Sequence, residues 1–338
     1  MRSRHGRPHP AVAAIRYAVR TALADLTESA DPPNGPALVL AAVSGGADSL
    51  ALAEALAFEA RGSARPAGAV IVDHGLQTGS AAVAEQAART SRRLGLDPVE
   101  VVSVAVTPGE SGLEAAAREA RYAALTECAD RLGAVAVLLG HTQDDQAEQV
   151  LLGLARGSGA RSLSGMRPRR GIFIRPLLSI SREQARHACA AEGVDYWDDP
   201  MNEDPRFTRV RARRALADLE RDLGPGITAA LARSAEQLRA DADLLDTLAA
   251  EARRALPSGS PYPVTSLVAI ASPLRGRVWR LLLIEAGAPP GAVAATHTDS
   301  CDRLLTQWRG QGPLHLPGDL RVRREQGQVT IAPARPVE

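Results

Sequence analysis

Four short apolar runs, separated by longer stretches of helical composition, leave this chain few folds to choose from. Residues 37–43 read Ala-Leu-Val-Leu-Ala-Ala-Val, 68–72 Gly-Ala-Val-Ile-Val, 99–104 Val-Glu-Val-Val-Ser-Val and 134–139 Ala-Val-Ala-Val-Leu-Leu. Segments 50–60, 80–94 and 111–132, rich in Ala, Leu, Glu and Arg, fall between them and read as helices. Near-continuous apolar strands alternating with helices specify an α/β fold: a parallel sheet with helices on both faces. Ligands of such sheets bind beyond the C-terminal ends of the strands. The loops leaving the first, second and fourth runs, residues 44–49, 73–76 and 141–148, all carry polar chemistry and are expected to converge on one edge.

The first of these loops is Ser44-Gly45-Gly46-Ala47-Asp48-Ser49. Two adjacent glycines let the main chain approach a ligand closely and turn successive N–H groups toward it. The N-terminus of the following helix adds partial positive charge, and Ser44 and Ser49 can donate hydroxyl hydrogen bonds. These features describe a pyrophosphate cradle. It is not a Walker A loop, because no Gly-Lys-Ser/Thr is present; the chain has no lysine, and all 40 basic side chains are Arg. A carboxylate next to phosphate needs a cation between them, so Asp48 is a candidate magnesium-associated residue. The order Ser-Gly-Gly-x-Asp-Ser resembles the PP-loop of the ATP pyrophosphatases, which split ATP into AMP and pyrophosphate to adenylate a substrate oxygen.

A length of 338 residues is enough for two domains. Hydrophobic content of 45% with only 3% aromatic residues implies an Ala/Leu/Val core. A net charge of +1 carries no overall nucleic-acid signal, but residues 156–214 hold 13 Arg against 7 acidic residues, a local basic surface. Cys128, Cys189 and Cys301 are widely spaced and form no Cys-x-x-Cys, which fits a reducing cytoplasm without disulfides, zinc or iron–sulfur clusters. His297, Asp299 and Cys301 alternate in a polar stretch that reads as a turn or helix cap. No apolar run reaches membrane length.

Residues 1–30 are expected to form a basic tail and a surface helix, the latter interrupted on its polar side by Arg16 and Arg20. Residues 31–215 are expected to be the nucleotide domain and 216–256 a helical linker, with 227–256 a single long helix. Residues 257–338 are expected to form a small α+β domain, with a helix at 274–286 around Trp279 and a hairpin from 314–324 and 328–331.

The loop after the fourth run narrows the assignment. In Gly140-His141-Thr142-Gln143-Asp144-Asp145-Gln146-Ala147-Glu148-Gln149, Asp145 and Glu148 are three apart and share a helix face. Carboxylates facing a nucleotide site could hold magnesium or an amine cation. Arg156-Gly157-Ser158-Gly159, within a flexible Arg/Gly/Ser loop that runs to Met166, suits phosphate or RNA backbone. Together with Val72-Asp73-His74-Gly75-Leu76, Arg118-Glu119-Ala120-Arg121-Tyr122, Arg175-Pro176-Leu177-Leu178 and the segment from Asp199 to Arg209, the chain closely resembles the bacterial tRNA(Ile)-lysidine synthases, a branch of the PP-loop, adenine nucleotide alpha hydrolase-like fold.

The resemblance implies a substrate, the isoleucine tRNA with a CAU anticodon. ATP, with Mg2+, would activate the carbon-2 oxygen of its wobble cytidine as an adenylate. The side-chain amine of free L-lysine would then displace AMP to give lysidine. Ser44, Gly45, Gly46, Ala47, Asp48 and Ser49 would hold the phosphates, with Asp48 near magnesium. Asp73, His74, Gly140 and His141 match nucleotide-contact positions, and Asp145 and Glu148 match positions that bind the lysine ammonium. Arg118, Arg121 and Arg209 match basic positions near the adenylate. The C-terminal part resembles the single accessory domain of shorter members and would bind tRNA through Arg303, Arg309, Arg321, Arg323 and Arg324. A cytoplasmic location follows, and dimers occur in the family, although no residue pattern here marks an interface.

Three positions depart from the family pattern: Thr142 replaces a second His, Val210 an Asn, and Gln77 an Arg. Two rival readings are a tRNA thiolase or small-molecule amidating ligase of the same superfamily, and an RNA-binding module without catalysis. Thiolases of this type typically use a catalytic Cys or a Cys-x-x-Cys; Cys128 lies mid-helix and Cys189 outside the motif loops. Intact Ser44, Asp48, Asp145 and Glu148 favour an enzyme over a binding module.

Overall fold

A computed structural model of the chain describes residues 7–29, 37–63, 65–75, 77, 79–106, 112–157 and 159–334. The basic start at 1–6 lies outside these, as do Leu76 and Ser158 of the motif loops. The described residues fall into two compact units that divide between Gln237 and Leu238.

The first unit is built on strands β1 (Val39–Ala42), β2 (Ala67–Asp73), β3 (Val99–Ser103) and β4 (Ala136–Leu139). They are parallel and ordered β3-β2-β1-β4, in a register that sets Val39 beside both Ala67 and Ala136. A short hairpin of β5 (Arg169–Arg170) and β6 (Phe173–Ile174) extends this sheet, with β6 parallel to β4 and β5 closing the edge antiparallel. Side chains alternate across a strand, and each face of β1 has its own core. Val39 and Ala41 pack with α1 (Pro10–Ser29), α2 (Ala47–Ser63), α3 (Ser80–Leu94) and α7 (Arg182–Glu192). Leu40 packs with Leu125, Cys128 and Ala129 of α4 (Leu113–Leu132) on the other.

The expected strands and first helices fall where the apolar runs put them. Helix α1 differs in kind. It packs on α2 and α7 as a third layer, and Ile15, Val19 and Leu26 are fully buried, so it belongs to the core of the first unit. Covered by α1 and α7 on one side and the sheet on the other, α2 is apolar nearly all round. Helices α5 (Gln143–Ala155), α6 (Ala160–Leu163) and α8 (Thr208–Leu223) complete the unit, α5 packing on both others.

The division falls inside α9 (Ile227–Arg254), the long helix read from the sequence. The second unit packs α10 (Val264–Val268), α11 (Ser272–Glu285) and α12 (Ala295–Thr306) with a four-stranded antiparallel sheet. Its strands are β7 (Tyr262–Pro263), β8 (Leu314–Leu316), β9 (Leu320–Glu325) and β10 (Gln328–Pro333), in the order β7-β10-β9-β8. Trp279, Leu283, Cys301, Val322 and Val329 are at its core. The segment containing His297, Asp299 and Cys301 is helix, not turn. His297 Nδ1 accepts the Ala294 N–H at 3.0 Å near the N-terminus of α12, a capping role. Among the described residues no group of three or more His, Cys, Asp or Glu side chains could hold a metal ion by itself, and no helix is long and apolar enough to cross a membrane.

Candidate active site

Strand β1 delivers the glycine loop to the centre of the sheet edge, between the loops after β2 and β4. Gly45 has φ +87°, a left-handed conformation that favours glycine, and a Cβ there would lie 3.5 Å from Val83 and 3.6 Å from Ala87. The loop is closed from within. Ser49 Oγ accepts the Ser44 N–H at 3.1 Å and donates to the Gly46 carbonyl at 2.9 Å. Ser49 therefore shapes the loop, and the Ser44 hydroxyl lies 3.1 Å from its Oγ. From outside, the Trp197 N–H donates to the Gly45 carbonyl at 2.9 Å, a brace supplied by the segment after α7. No local pattern marked Trp197.

Gly140 ends β4 directly against the first turn of α2. A Cβ on Gly140 would meet the Asp48 carbonyl carbon and oxygen and the Ser49 Cα, all at 3.1 Å. His141 follows, half-buried, with a buried unpartnered Nδ1. Burial, followed by the nearby Arg121, Arg175 and Arg118, lowers its pKa despite Asp145, so it is neutral. His74, after β2, also has a buried unpartnered Nδ1 and a pKa lowered by burial and by Arg121. Asp73 accepts the Gly75 N–H at 3.0 Å and so forms the turn that presents His74.

Three carboxylates then converge. Asp145 Oδ2 accepts the Thr142 N–H at 2.8 Å and the Thr142 hydroxyl at 3.1 Å, capping α5. Asp145 Oδ1 and Glu148 Oε1 both accept from Arg182 Nη2, at 3.0 and 3.3 Å. Arg182 Nε lies 3.6 Å from Asp48 Oδ2. Glu148, 2% exposed, also accepts from Arg213 Nε at 2.9 Å. Asp144 accepts the Arg182 backbone N–H at 2.8 Å. Burial opposes the charge on Arg182, but Asp145, Glu148, Asp48 and Asp144 outweigh it and raise its pKa. Burial also opposes ionisation of Asp145, yet Arg182 and the Thr142 donors hold its pKa below the usual value. Asp48 goes the other way. Burial pushes it up to about 6, Arg182 offsetting only part, and its Oδ1 is buried without a partner.

Arg182 and Arg213 are site residues that sequence reasoning missed. Neither lies in a loop after a strand, and their carboxylate partners are 34 to 134 positions away. Arg121 is half-buried with a buried unpartnered Nε, its charge acts on both His74 and His141, and its pKa is lowered first by burial. Arg118 and Arg209 instead line a cavity of about 660 Å³, with Arg156, Arg161, Arg167, Arg170 and Arg175. Glu114 is its one acidic lining residue and pairs with Arg209 Nε at 3.3 Å. The loop expected to be flexible before Met166 is fastened at its end. Gln146 Oε1 accepts the Met166 N–H at 2.6 Å and Gln146 Nε2 donates to the Met166 carbonyl at 3.1 Å.

The departures each have a local account. Thr142 caps α5, Val210 is buried in α8, and Gln77 Nε2 donates to Asp199 Oδ1 at 3.0 Å, joining the second loop to the 199–209 segment. Cys189, distant from the motifs in sequence, lies beneath the glycine loop, its thiol 3.4 Å from the Ala47 carbonyl and pushed up to about 12 by burial. A thiol held that far toward its protonated form is a poor nucleophile.

Comparison with known proteins identifies the family of each part of the chain. Residues 18–220 match the PP-loop domain family, and residues 263–330 match the family described as the TilS substrate binding domain. The chain is 51% identical to the tRNA(Ile)-lysidine synthase of Streptomyces coelicolor, over 96% of this chain and 99% of that one. It is 52% identical to the tRNA(Ile)-lysidine synthase of Thermobifida fusca, over 96% and 98%. Among solved structures, the U34-tRNA thiolase NcsA from Methanococcus maripaludis, with its [4Fe-4S] cluster, superposes with a TM-score of 0.53 at 18% identity, covering 68% of this chain and 79% of that one, a likeness of fold.

Proposed function

The chain belongs to the tRNA(Ile)-lysidine synthase family, and from that membership we propose how its own residues divide the work. The enzyme is an ATP-consuming carbon–nitrogen ligase that forms lysidine at the wobble cytidine of the CAU-anticodon isoleucine tRNA. The cytidine carbon-2 oxygen attacks the α-phosphorus of ATP and pyrophosphate leaves. The lysine side-chain amine, having lost its proton, attacks carbon-2 and AMP leaves. The product pairs with A instead of G. The observation that carries the residue assignment is that Asp48 of the glycine loop and the Asp145–Glu148 pair share one guanidinium, which brings an anion-binding loop and a cation-binding pair together.

Ser44, Gly45, Gly46 and Ala47, with Ser49 holding their shape, cradle the phosphates. Asp73, His74, Gly140 and His141 border the nucleotide from the flanking loops. Mg2+ fits Asp48, a hard oxygen donor with a buried unpartnered Oδ1, since magnesium commonly takes one or two carboxylates and completes its shell with phosphate oxygens and water. When bound there it would neutralise charge on the departing pyrophosphate. Asp145 and Glu148 receive the lysine ammonium, for which two carboxylates at close range supply charge-assisted hydrogen bonds. Arg121 supports the adenylate from beneath, and Arg118 and Arg209 take the RNA at the Arg-lined cavity, where phosphate contacts set register.

We assign the catalytic role to a domain ending near residue 215 and tRNA binding to the part after 257. Helix α1 goes with the catalytic domain, because the family match begins inside it and its apolar face completes the core. In the second unit Arg324 donates to the Leu304 and Leu305 carbonyls at 2.8 and 3.1 Å, so it fastens α12, and the RNA contacts fall to Arg303, Arg309, Arg321 and Arg323. Three buried free thiols suit a reducing cytoplasm.

The test is incorporation of labelled lysine into a CAU-anticodon isoleucine tRNA transcript with ATP and Mg2+, with the initiator methionine tRNA, which shares the anticodon, as control. Incorporation into the first alone is expected. Pyrophosphate release without lysine incorporation would move the activity to another acceptor.

A further inference from the structure

The place where a substrate ammonium would bridge Asp145 and Glu148 already holds a nitrogen. Arg182 Nη2 is 3.0 Å from Asp145 Oδ1 and 3.3 Å from Glu148 Oε1. The remaining geometry leaves little choice of position. Asp145 Oδ2 is engaged by the backbone and hydroxyl of Thr142, and Glu148 Oε1 also receives Arg213. A second cation bridging Asp145 Oδ1 and Glu148 Oε1 competes with Arg182 Nη2 for that position.

The main chain of Arg182 is fixed while its side chain has somewhere to go. Its N–H is held by Asp144 at 2.8 Å, one residue into a helix capped by Ser181, whose Oγ accepts the Gln184 N–H at 3.2 Å and whose N–H is accepted by Gln184 Oε1 at 2.8 Å. The side chain retains 20% exposure. Its Nε already faces Asp48, on the first turn of the helix behind the glycine loop. The guanidinium thus reaches the anion-binding loop through Nε and the cation-binding pair through Nη2. A polyphosphate in that loop offers a planar fork a bidentate partner of higher charge than either carboxylate.

Resting on the assignment of Asp145 and Glu148 to lysine, we propose that Arg182 is a resident counter-ion which nucleotide phosphates draw away from these carboxylates, so that lysine binds tightly only after the nucleotide. Arg182 acts here as a positioning residue: its two arrangements couple the two substrates. Each ligand favours the same arrangement, so the coupling is reciprocal.

Calorimetric titration of the full chain with L-lysine, alone and with a non-hydrolysable α,β-methylene analogue of ATP, tests this. For the unaltered protein the analogue should tighten lysine binding by about tenfold or more. In Arg182→Gln, lysine should bind without nucleotide and the analogue should alter its affinity by less than about twofold. Arg182→Lys, which keeps a cation in place, should restore the dependence. Binding of the analogue by each variant reports an intact fold in the same experiment. Equal lysine affinity with and without the analogue in the unaltered protein would overturn the proposal. So would a nucleotide dependence that survives in Arg182→Gln, or the loss of all lysine binding in that variant while the analogue still binds. Asp145→Asn separates this from the underlying assignment. If it binds lysine normally, the assignment itself fails; if it loses lysine binding while Arg182→Gln keeps the dependence, only the coupling fails.

Discussion

Gly140 and Asp48 touch through their backbones: the position of a Gly140 Cβ lies 3.1 Å from both the carbonyl carbon and the oxygen of Asp48. The end of β4 thereby fixes the height of the first turn of α2, and with it the loop before it. Gly140→Ala should push this turn outward by a few tenths of an ångström. We expect a loss of about 1–3 kcal/mol in stability from overpacking, and a larger rise in the KM for ATP than for lysine. Urea unfolding and steady-state kinetics check the two effects separately.

Asp48→Asn should lower tRNA-dependent pyrophosphate release by about a hundredfold or more, as removal of a group that positions transition-state charge does. Filter binding of the tRNA should be unchanged. If pyrophosphate release survived, Asp48 would have no part in handling the phosphates.

The same variant should be more stable than the parent at alkaline pH. The folded-state pKa of Asp48 is raised to about 6, so the fold binds a proton there that the unfolded chain, with a pKa near 3.8, does not. Between these values the native state holds more protons than the unfolded one, and stability falls as pH rises. Above pH 7 the buried charge opposes folding by about 1–3 kcal/mol, and Asn removes that opposition. Unfolding in EDTA should show Asp48→Asn ahead of the parent at pH 8, with the gap narrowing at pH 5.

Arg213→Met removes one of two cations from Glu148, a nearly buried carboxylate whose other partner, Arg182, is the residue inferred to move. We expect a loss of about 1–3 kcal/mol in stability, short of the full value for a buried pair because Arg213 is one-third exposed. The KM for lysine should rise more than kcat falls. Unchanged kinetics for lysine would show that Arg213 serves the fold alone.

Cys189 should be dispensable for catalysis despite its place under the glycine loop. With its thiol pushed up to about 12 and no exposed path, it should resist iodoacetamide in the native protein, and Cys189→Ala should retain activity within about threefold. Loss of activity with an undisturbed melting temperature would revive a sulfur-transfer reading.

Much of this site was legible because its motifs are local. The strand runs placed three loops on one edge, and the spacing of Asp145 and Glu148 put both carboxylates on one face of α5. What escaped was what arrives from far along the chain. Arg182 and Arg213 reach the carboxylates only through the packing of α7 and α8, and no spacing rule relates position 182 to position 48. Ser49 read as a phosphate donor because its type and place suit that role, yet its proton goes to Gly46. Helix α1 looked peripheral since its pattern is that of any amphipathic helix; only the partner surface of α2 and α7 shows its apolar face to be core. The helix at Ala295–Thr306 was hidden by Thr, Ser and Asp residues, and burial of Cys301 and Leu304 overrides their weak propensity.

The two-residue strand β5 closes one edge of the sheet with Arg169 and Arg170, both exposed, while Arg170 also lines the Arg-rich cavity. Charged side chains on an edge strand keep it from pairing with another molecule. A basic residue here therefore serves colloidal behaviour as well as the charge of the cavity. Neutralising this pair to weaken substrate binding would also uncover a sheet edge, and the activity lost could come from self-association. Light scattering on such variants belongs beside every affinity measured with them.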